Sequence, residues 1–151
     1  MTTLKLITKI KASKPTVFDL SRSIDLHQLS MKSSDEKAIA GKTSGLIELG
    51  ETVTFKGKHF GFYLTHQSKI TELTLYDSFT DEMQKGAFTS FKHKHLFEEE
   101  GQKILMIDLL QYEVPLGILG TIFDTLFLKQ YLTRLIQKRN NFIKNLAEQQ
   151  H

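Results

Sequence analysis

The chain has 151 residues, of which 40% are apolar, and its 20 lysines and arginines exceed its 17 aspartates and glutamates by only three. This length suits one domain with a single core, and the absence of cysteine excludes disulfides and thiolate metal ligands, as is common in a reducing cytoplasm, where we expect the protein. The scattered basic charge disfavours nucleic-acid binding, and the most apolar stretch, residues 116–128, is too short to span a bilayer and contains Asp124.

The N-terminal segment predicts a strand followed by two short helices. From Leu4 to Ile10, apolar residues alternate with a mostly basic face, which is the period of a half-buried strand. Ser13 suits a helix N-cap and Pro15 the first helical turn, so a short helix should follow. A second short helix is predicted at residues 24–31.

The middle of the chain predicts a polar connector and then strands. Residues 33–44 form the connector, and strands are expected at residues 46–49 and 52–56. Gly57 and Lys58 then suit a hairpin turn that leads into a long strand from His59 to about Leu75.

Three further segments complete the predicted sheet of about seven strands. Residues 79–86 carry a strand into a loop, a strand with two inward histidines follows at residues 87–97, and residues 98–102 form a turn. The chain then returns as a strand over residues 103–114. Lysines alternate with the histidines, so the histidines should lie on the inward face.

A long helix ends the chain. Pro115 stops the last strand, and from Ile118 the apolar period becomes about 3.6 residues, which over about 32 residues gives a helix of about 48 Å. The stripe predicted to face the sheet consists of Leu119, Ile122, Phe123, Leu126, Tyr131, Leu135, Phe142 and Leu146.

An antiparallel sheet followed by one long amphipathic helix must curl around that helix to bury its apolar face. We therefore predict an α+β helix-grip fold, with a single domain spanning residues 1–151. The chain resembles the START/Bet v 1-like superfamily, in particular the bacterial SRPBCC ligand-binding proteins. The resemblance rests on Ala12, Pro15, Val17, Phe18, Gly50, Val53, Thr54, His59, Phe60, Gly61, Phe79, Asp81, Gly86, Phe88, His93, His95, Phe97, Asp108, Tyr112, Pro115, Gly117, Gly120 and Arg139.

This resemblance implies a cavity between sheet and helix that holds a small hydrophobic or amphipathic molecule, such as a lipid or a polyketide-like compound. The expected apolar wall is Phe62, Leu64, Phe91, Leu110, Phe123 and Phe127, and the expected polar end is His93, His95, Asp108 and Tyr112. No cofactor is expected, and the protein should be a monomer or a homodimer. Arg139 is expected to be a structural partner for a carboxylate or carbonyl.

The hairpin of residues 87–114 supplies the polar end. A turn centred on residues 99–101 would place His95 opposite Met106 and His93 opposite Asp108, within contact distance across the strands. Asp108 would then either anchor a ligand together with His93 or only satisfy the histidine's buried donor.

Two other roles stay open, and a third is disfavoured. A cyclase, aromatase or isomerase could use His93 or His95 as general base with Asp108 orienting it, and an interaction module could fill the cavity with its own side chains. Enzymatic activity is less expected than binding. His93 and His95 share one face and could bind a metal with His59 or His66, but the flanking lysines and the lack of an acidic cluster argue against it, so no metal site is predicted.

Overall fold

The computed structural model describes residues 1–150. The strands are β1 Thr2–Ile10, β2 Lys37–Gly41, β3 Thr52–His59, β4 Phe62–Thr74, β5 Ser78–Lys85, β6 Ser90–Glu100 and β7 Lys103–Glu113. The helical segments are α1 Lys14–Ser21, α2 Ile24–Ser30, a 3₁₀ turn Lys32–Ser34, α3 Gly117–Phe123, a π-helical turn Asp124–Leu128 and α4 Lys129–Gln149.

The seven strands form one antiparallel sheet in the order β1-β7-β6-β5-β4-β3-β2. The long C-terminal helix contacts β1, α1 and α2, and buries Ile136, Ile143 and Ala147. These contacts place the helix along the inner face of the curved sheet, where it closes a layer of apolar side chains. The predicted helix-grip fold, with two short helices after the first strand, is confirmed.

The two short helices begin where the sequence predicts. The Ser13 side chain accepts a hydrogen bond from the Thr16 amide, with Pro15 in the first turn. Ser23 caps α2 in the same way, through the Leu26 amide. Each cap satisfies one of the amides that a helix N-terminus leaves without a partner, so these boundaries follow from local chemistry.

One predicted strand is wrong, and a strand that was not predicted replaces it. Residues 46–49 form a loop with a single bridge between Ser23 and Leu46, and Ile47 is buried beneath the helices. The predicted connector instead contains β2, which pairs with β3 at the open edge of the sheet. Its five residues are mostly exposed, so no apolar alternation marks the strand.

The β3–β4 hairpin turns three residues later than predicted. His59 pairs with Phe62, which leaves Phe60 and Gly61 as the two-residue turn, at φ of 53° and 83°. Two positive φ values in succession match the hairpin turn that suits twisted strands. Glycine adopts such an angle readily, whereas phenylalanine seldom does, so Phe60 concealed the turn.

The β6–β7 hairpin has a different register from the predicted one. Glu100 pairs with Lys103, so the turn is centred on Gly101 and Gln102, and His95 lies opposite Asp108. His93 lies opposite Leu110 rather than Asp108. The shift is two residues, which preserves the face of every side chain.

The long helix is interrupted by the π-helical turn, in which the Lys129 amide bonds to the Asp124 carbonyl five residues earlier. This extra residue rotates the buried face, so a uniform period of 3.6 fails across it. The buried positions are Gly120, Asp124, Leu128, Ile136, Arg139, Asn140, Ile143 and Ala147. In the predicted stripe, Leu119, Ile122, Phe123 and Leu126 are exposed and the other four residues are only partly buried, so the predicted buried face is wrong. Among residues 1–150, no helix is long and apolar enough to cross a membrane.

Candidate functional site

A cavity of about 500 Å³ lies between the inner face of the sheet and the long helix. Its size falls in the range of small-molecule sites in proteins, about 300–1,000 Å³. Most of its wall is apolar, with Val53, Phe55, Ile70, Leu110 and Ile136 among the buried lining residues. The polar side chains His66, Asp81, His93, His95 and Arg139 also line it.

Asp108 is the centre of a buried polar cluster beneath the cavity. Its Oδ1 lies 2.7 Å from His93 Nε2, and its Oδ2 accepts a hydrogen bond of 2.7 Å from Asn140 Nδ2. Arg139 Nη1 lies 3.6 Å from the same carboxylate and donates to the Asn140 side chain, while Nη2 donates to the Ser21 carbonyl. The cluster therefore joins β6, β7, α1 and α4 through one carboxylate.

His95 lies between two carboxylates. Its Nε2 is 2.7 Å from Asp81 Oδ2, and its Nδ1 is 3.4 Å from Asp108 Oδ1, without a well-oriented hydrogen bond. The His93 ring stacks on it with the ring centroids 3.9 Å apart. On its other side, Phe79 stacks on His95 at 4.2 Å. These contacts fix both imidazole rings.

The surroundings of the two histidines shift their pKa values in opposite directions. Burial opposes charge on His95, but its contacts with Asp108 and Asp81 outweigh burial and raise its pKa. Burial, together with repulsion from His95, lowers the pKa of His93. Both carboxylates resist protonation: although burial opposes their charge, the histidines lower the pKa of Asp81 to about 2 and hold that of Asp108 well below its ordinary value.

The charges in this cluster balance when His95 is protonated, the state that its raised pKa favours. His95 and Arg139 are then the two positive groups and Asp81 and Asp108 the two carboxylates, while the lowered pKa of His93 favours its neutral form. Two buried cations and two buried carboxylates in contact avoid the large cost of an unpaired buried charge. The cluster thus presents hydrogen-bonding groups to the cavity without a net charge.

Nitrogen-detected NMR of histidine-labelled protein should show these states directly. We expect both ring nitrogens of His95 to remain protonated above pH 6.5, the usual histidine pKa, because its folded-state pKa is raised. His93 and His66 should be neutral at the same pH, since burial lowers the pKa of each. Spectra of His95→Gln assign the signals, and a His95 ring that loses its proton below pH 6.5 would contradict the raised pKa.

The cluster offers two kinds of chemistry. His93 is neutral, lines the cavity and is held by Asp108 through Nε2, and Nδ1 has no hydrogen-bond partner among residues 1–150, so the ring could accept a proton from a bound molecule. Asp81, His93 and His95 also have possible metal-ligating atoms within 4.8 Å of one another. A metal there would have to displace the hydrogen bond between Asp81 and His95.

Known structures resemble this one over nearly their whole length. A START superfamily protein from Mycobacterium smegmatis superposes with a TM-score of 0.74 at 13% identity, covering 99% of each chain. Ginseng major latex-like protein 151 from Panax ginseng has a TM-score of 0.66 at 16% identity, covering 96% of this chain and 97% of its own. The protein TTHA0849 from Thermus thermophilus has a TM-score of 0.71 at 14% identity, covering 97% of this chain and 99% of its own.

The chain has the START/Bet v 1-like fold. No family model matches its sequence, and no curated protein matches it. At 13–16% identity, these START/Bet v 1-like structures establish the architecture, and the site must be argued from the side chains of this chain.

Six of the ten expected binding residues line the cavity: Leu64, Phe91, His93, His95, Leu110 and Phe123. Asp108 lies behind the histidines and contacts His93 as expected, although the predicted register is wrong. Phe62 and Phe127 lie outside the cavity and are 71% and 57% exposed, which corrects their assignment to the wall.

Tyr112 also lies outside the cavity, which corrects its assignment to the polar end. It is fully buried, and its hydroxyl donates a hydrogen bond of 2.6 Å to Asp124 Oδ1 in the π-helical turn. The Thr2 hydroxyl donates to the other oxygen of that carboxylate. Burial and the bond to Asp124 raise the pKa of Tyr112, so the phenol keeps the proton that it donates and links β7 to the helix.

Sequence reasoning did not assign Asp81 or Asn140 to the site. Asp81 shares the inward face of β5 with Phe79 and pairs with His93 across the sheet, so the register of β5 against β6 would have revealed it. Asn140 follows Arg139 on the helix, and no sequence spacing connects it with β7. Arg139 bonds to the Ser21 carbonyl, which fits its expected structural role, and it also lines the cavity.

Proposed function

We propose that the protein binds a small, uncharged, mostly apolar molecule in the cavity between sheet and helix. The main support for this proposal is the lining of the cavity. The cavity has a volume of about 500 Å³, and its wall is apolar except where the polar cluster around Asp108 contributes side chains to it. Apolar burial would supply most of the affinity, and a hydroxyl or carbonyl of the ligand would bond to the polar groups at His93.

The charges around the cavity argue against an anionic ligand. Arg22 lines the cavity but already pairs with Asp19 and Glu48. Arg139 and His95 are balanced by the buried carboxylates described above. Across the cavity, Glu36 also lines the wall, and although burial opposes its charge, contacts with His27 lower its pKa. A ligand carboxylate would therefore meet paired cations and an ionised glutamate, and would lose its hydration without compensation.

Two matched probes test this proposal: a fatty alcohol and the fatty acid of the same chain length, titrated into delipidated protein at neutral pH. We expect the alcohol to bind at least about tenfold more tightly, because its hydroxyl needs no counter-charge. Native mass spectrometry before delipidation should show a retained neutral adduct. Preferential binding of the carboxylate would contradict the uncharged ligand, and no binding of either probe would contradict ligand binding in the cavity.

A further inference from the structure

The N-terminal part of the long helix turns its apolar side outward. Between Val114 and Leu128 the only charged residue is Asp124, and it is buried against Tyr112 and Thr2. The exposed apolar side chains of this segment are Leu116, Ile118, Leu119, Ile122, Phe123, Leu126 and Phe127. A helix packed on a domain ordinarily buries its apolar side, so this segment has the reverse arrangement.

The tip of the β3–β4 hairpin extends this surface. Phe60 packs edge-on against Phe123 with the ring centroids 5.3 Å apart, and it lies 4.5 Å from the ring of Tyr131. Phe60 and Phe62 are themselves exposed. We call the exposed apolar residues of the helix segment and of this hairpin tip the apolar rim. Large exposed apolar patches of this kind mark interaction surfaces.

The apolar rim lies at the mouth of the cavity. Phe60, Leu116, Leu119 and Phe123 are exposed to solvent and also line the cavity. The apolar surface of the rim therefore extends without a break into the cavity.

Basic residues follow the rim along both elements that form it. From Val114 to Ala147, Asp124 is the only carboxylate, whereas Lys129, Arg134 and Lys138 are exposed. On the hairpin, the ammonium groups of Lys56 and Lys58 lie 5.6 and 6.0 Å from the ring centroid of Tyr63. The Tyr63 hydroxyl donates to Asp35, and that carboxylate is 3.9 Å from Lys37.

We propose that the apolar rim docks on the surface of an anionic lipid bilayer. Apolar side chains would enter the interfacial region while the surrounding lysines and arginines contact acidic headgroups, the combination that holds peripheral proteins on membranes. A second copy of this chain fits less well, because self-association through the rim would bring two basic surfaces together. Charge complementarity therefore favours the anionic bilayer.

Vesicle co-sedimentation of the full chain tests this docking. We expect binding to vesicles of phosphatidylcholine with phosphatidylserine, weaker binding to phosphatidylcholine alone, and weakening by salt. The double variant Ile118→Gln with Leu126→Gln removes two exposed rim residues that do not line the cavity, and glutamine preserves the helix. It should reduce vesicle affinity by about tenfold or more.

A matched control replaces exposed leucines elsewhere, Leu49→Gln with Leu75→Gln, and should bind vesicles like the parent protein. Equal losses in both double variants, or no vesicle binding by the parent, would overturn the proposal. So would a dimer in sedimentation velocity that dissociates in the rim variant. The fatty alcohol titration is independent, because the rim variant should retain its affinity for that probe even when docking is lost.

Discussion

Asp108→Asn should lower the free energy of unfolding by about 3–5 kcal/mol, the usual loss when one partner of a buried charge cluster is removed. The carboxylate contacts His93 and Asn140 at 2.7 Å and lies near the charged groups of His95 and Arg139. Asparagine has a similar shape but no charge, so it would leave two buried cations against Asp81 alone. Urea denaturation at neutral pH measures the difference.

The pH dependence of this difference distinguishes charge from shape. The folded protein holds the pKa of Asp108 well below its ordinary value, so the stabilisation is present above about pH 3.9, the ordinary aspartate pKa, and is lost as pH falls through the folded-state pKa. The difference in free energy of unfolding between the parent protein and Asp108→Asn should therefore decrease as the pH is lowered. If this difference stayed constant with pH, packing rather than charge would be the cause of the lower stability.

A surface carboxylate provides the matched control. Asp77 contacts Lys14 at 2.5 Å, but its side chain is 61% exposed, so Asp77→Asn should change stability by no more than about 1 kcal/mol. Equal effects of the two substitutions would contradict the central position assigned to Asp108.

The inward direction of the histidines could be predicted because a two-residue error in the register leaves each side chain on the same face of the sheet. The predicted hairpin lies two residues from the observed register, so it puts His93 opposite Asp108 instead of Leu110. An even shift keeps every residue on its own face, so His93, His95 and Asp108 still met on the inner side. The diagonal contact from His93 to Asp108 depends on long side chains that reach across neighbouring pairs.

The helix face could not be predicted because nothing in the apolar pattern marks the π-helical turn. A uniform period directs Ile122 and Leu126 toward the sheet, whereas the structure buries Asp124 instead and bonds it to Tyr112. Burial of this aspartate depends on Thr2 and Tyr112, which are far away in sequence. The same long-range contacts explain why the sequence pattern alone directs Tyr112 into the cavity and the apolar rim toward the sheet.

Ser68→Phe should abolish most ligand binding while the protein remains folded. Ser68 is buried on the inner face of β4, opposite Val53, and lines the cavity. A phenyl ring at this position would occupy space that we assign to the ligand, so affinity for the fatty alcohol probe should fall by more than about tenfold. Titration of delipidated protein measures the affinity, and the thermal midpoint should stay within a few degrees because the ring enters open space.

Ser44→Phe is the matched control, since Ser44 is exposed in a loop and does not line the cavity. It adds the same ring to the surface and should leave both the affinity and the thermal midpoint unchanged. If Ser68→Phe folded normally and bound the alcohol like the parent protein, the probe would have to bind elsewhere, and the apolar rim would be the next surface to test. Loss of binding in Ser68→Phe alone would place the ligand between β4 and the long helix.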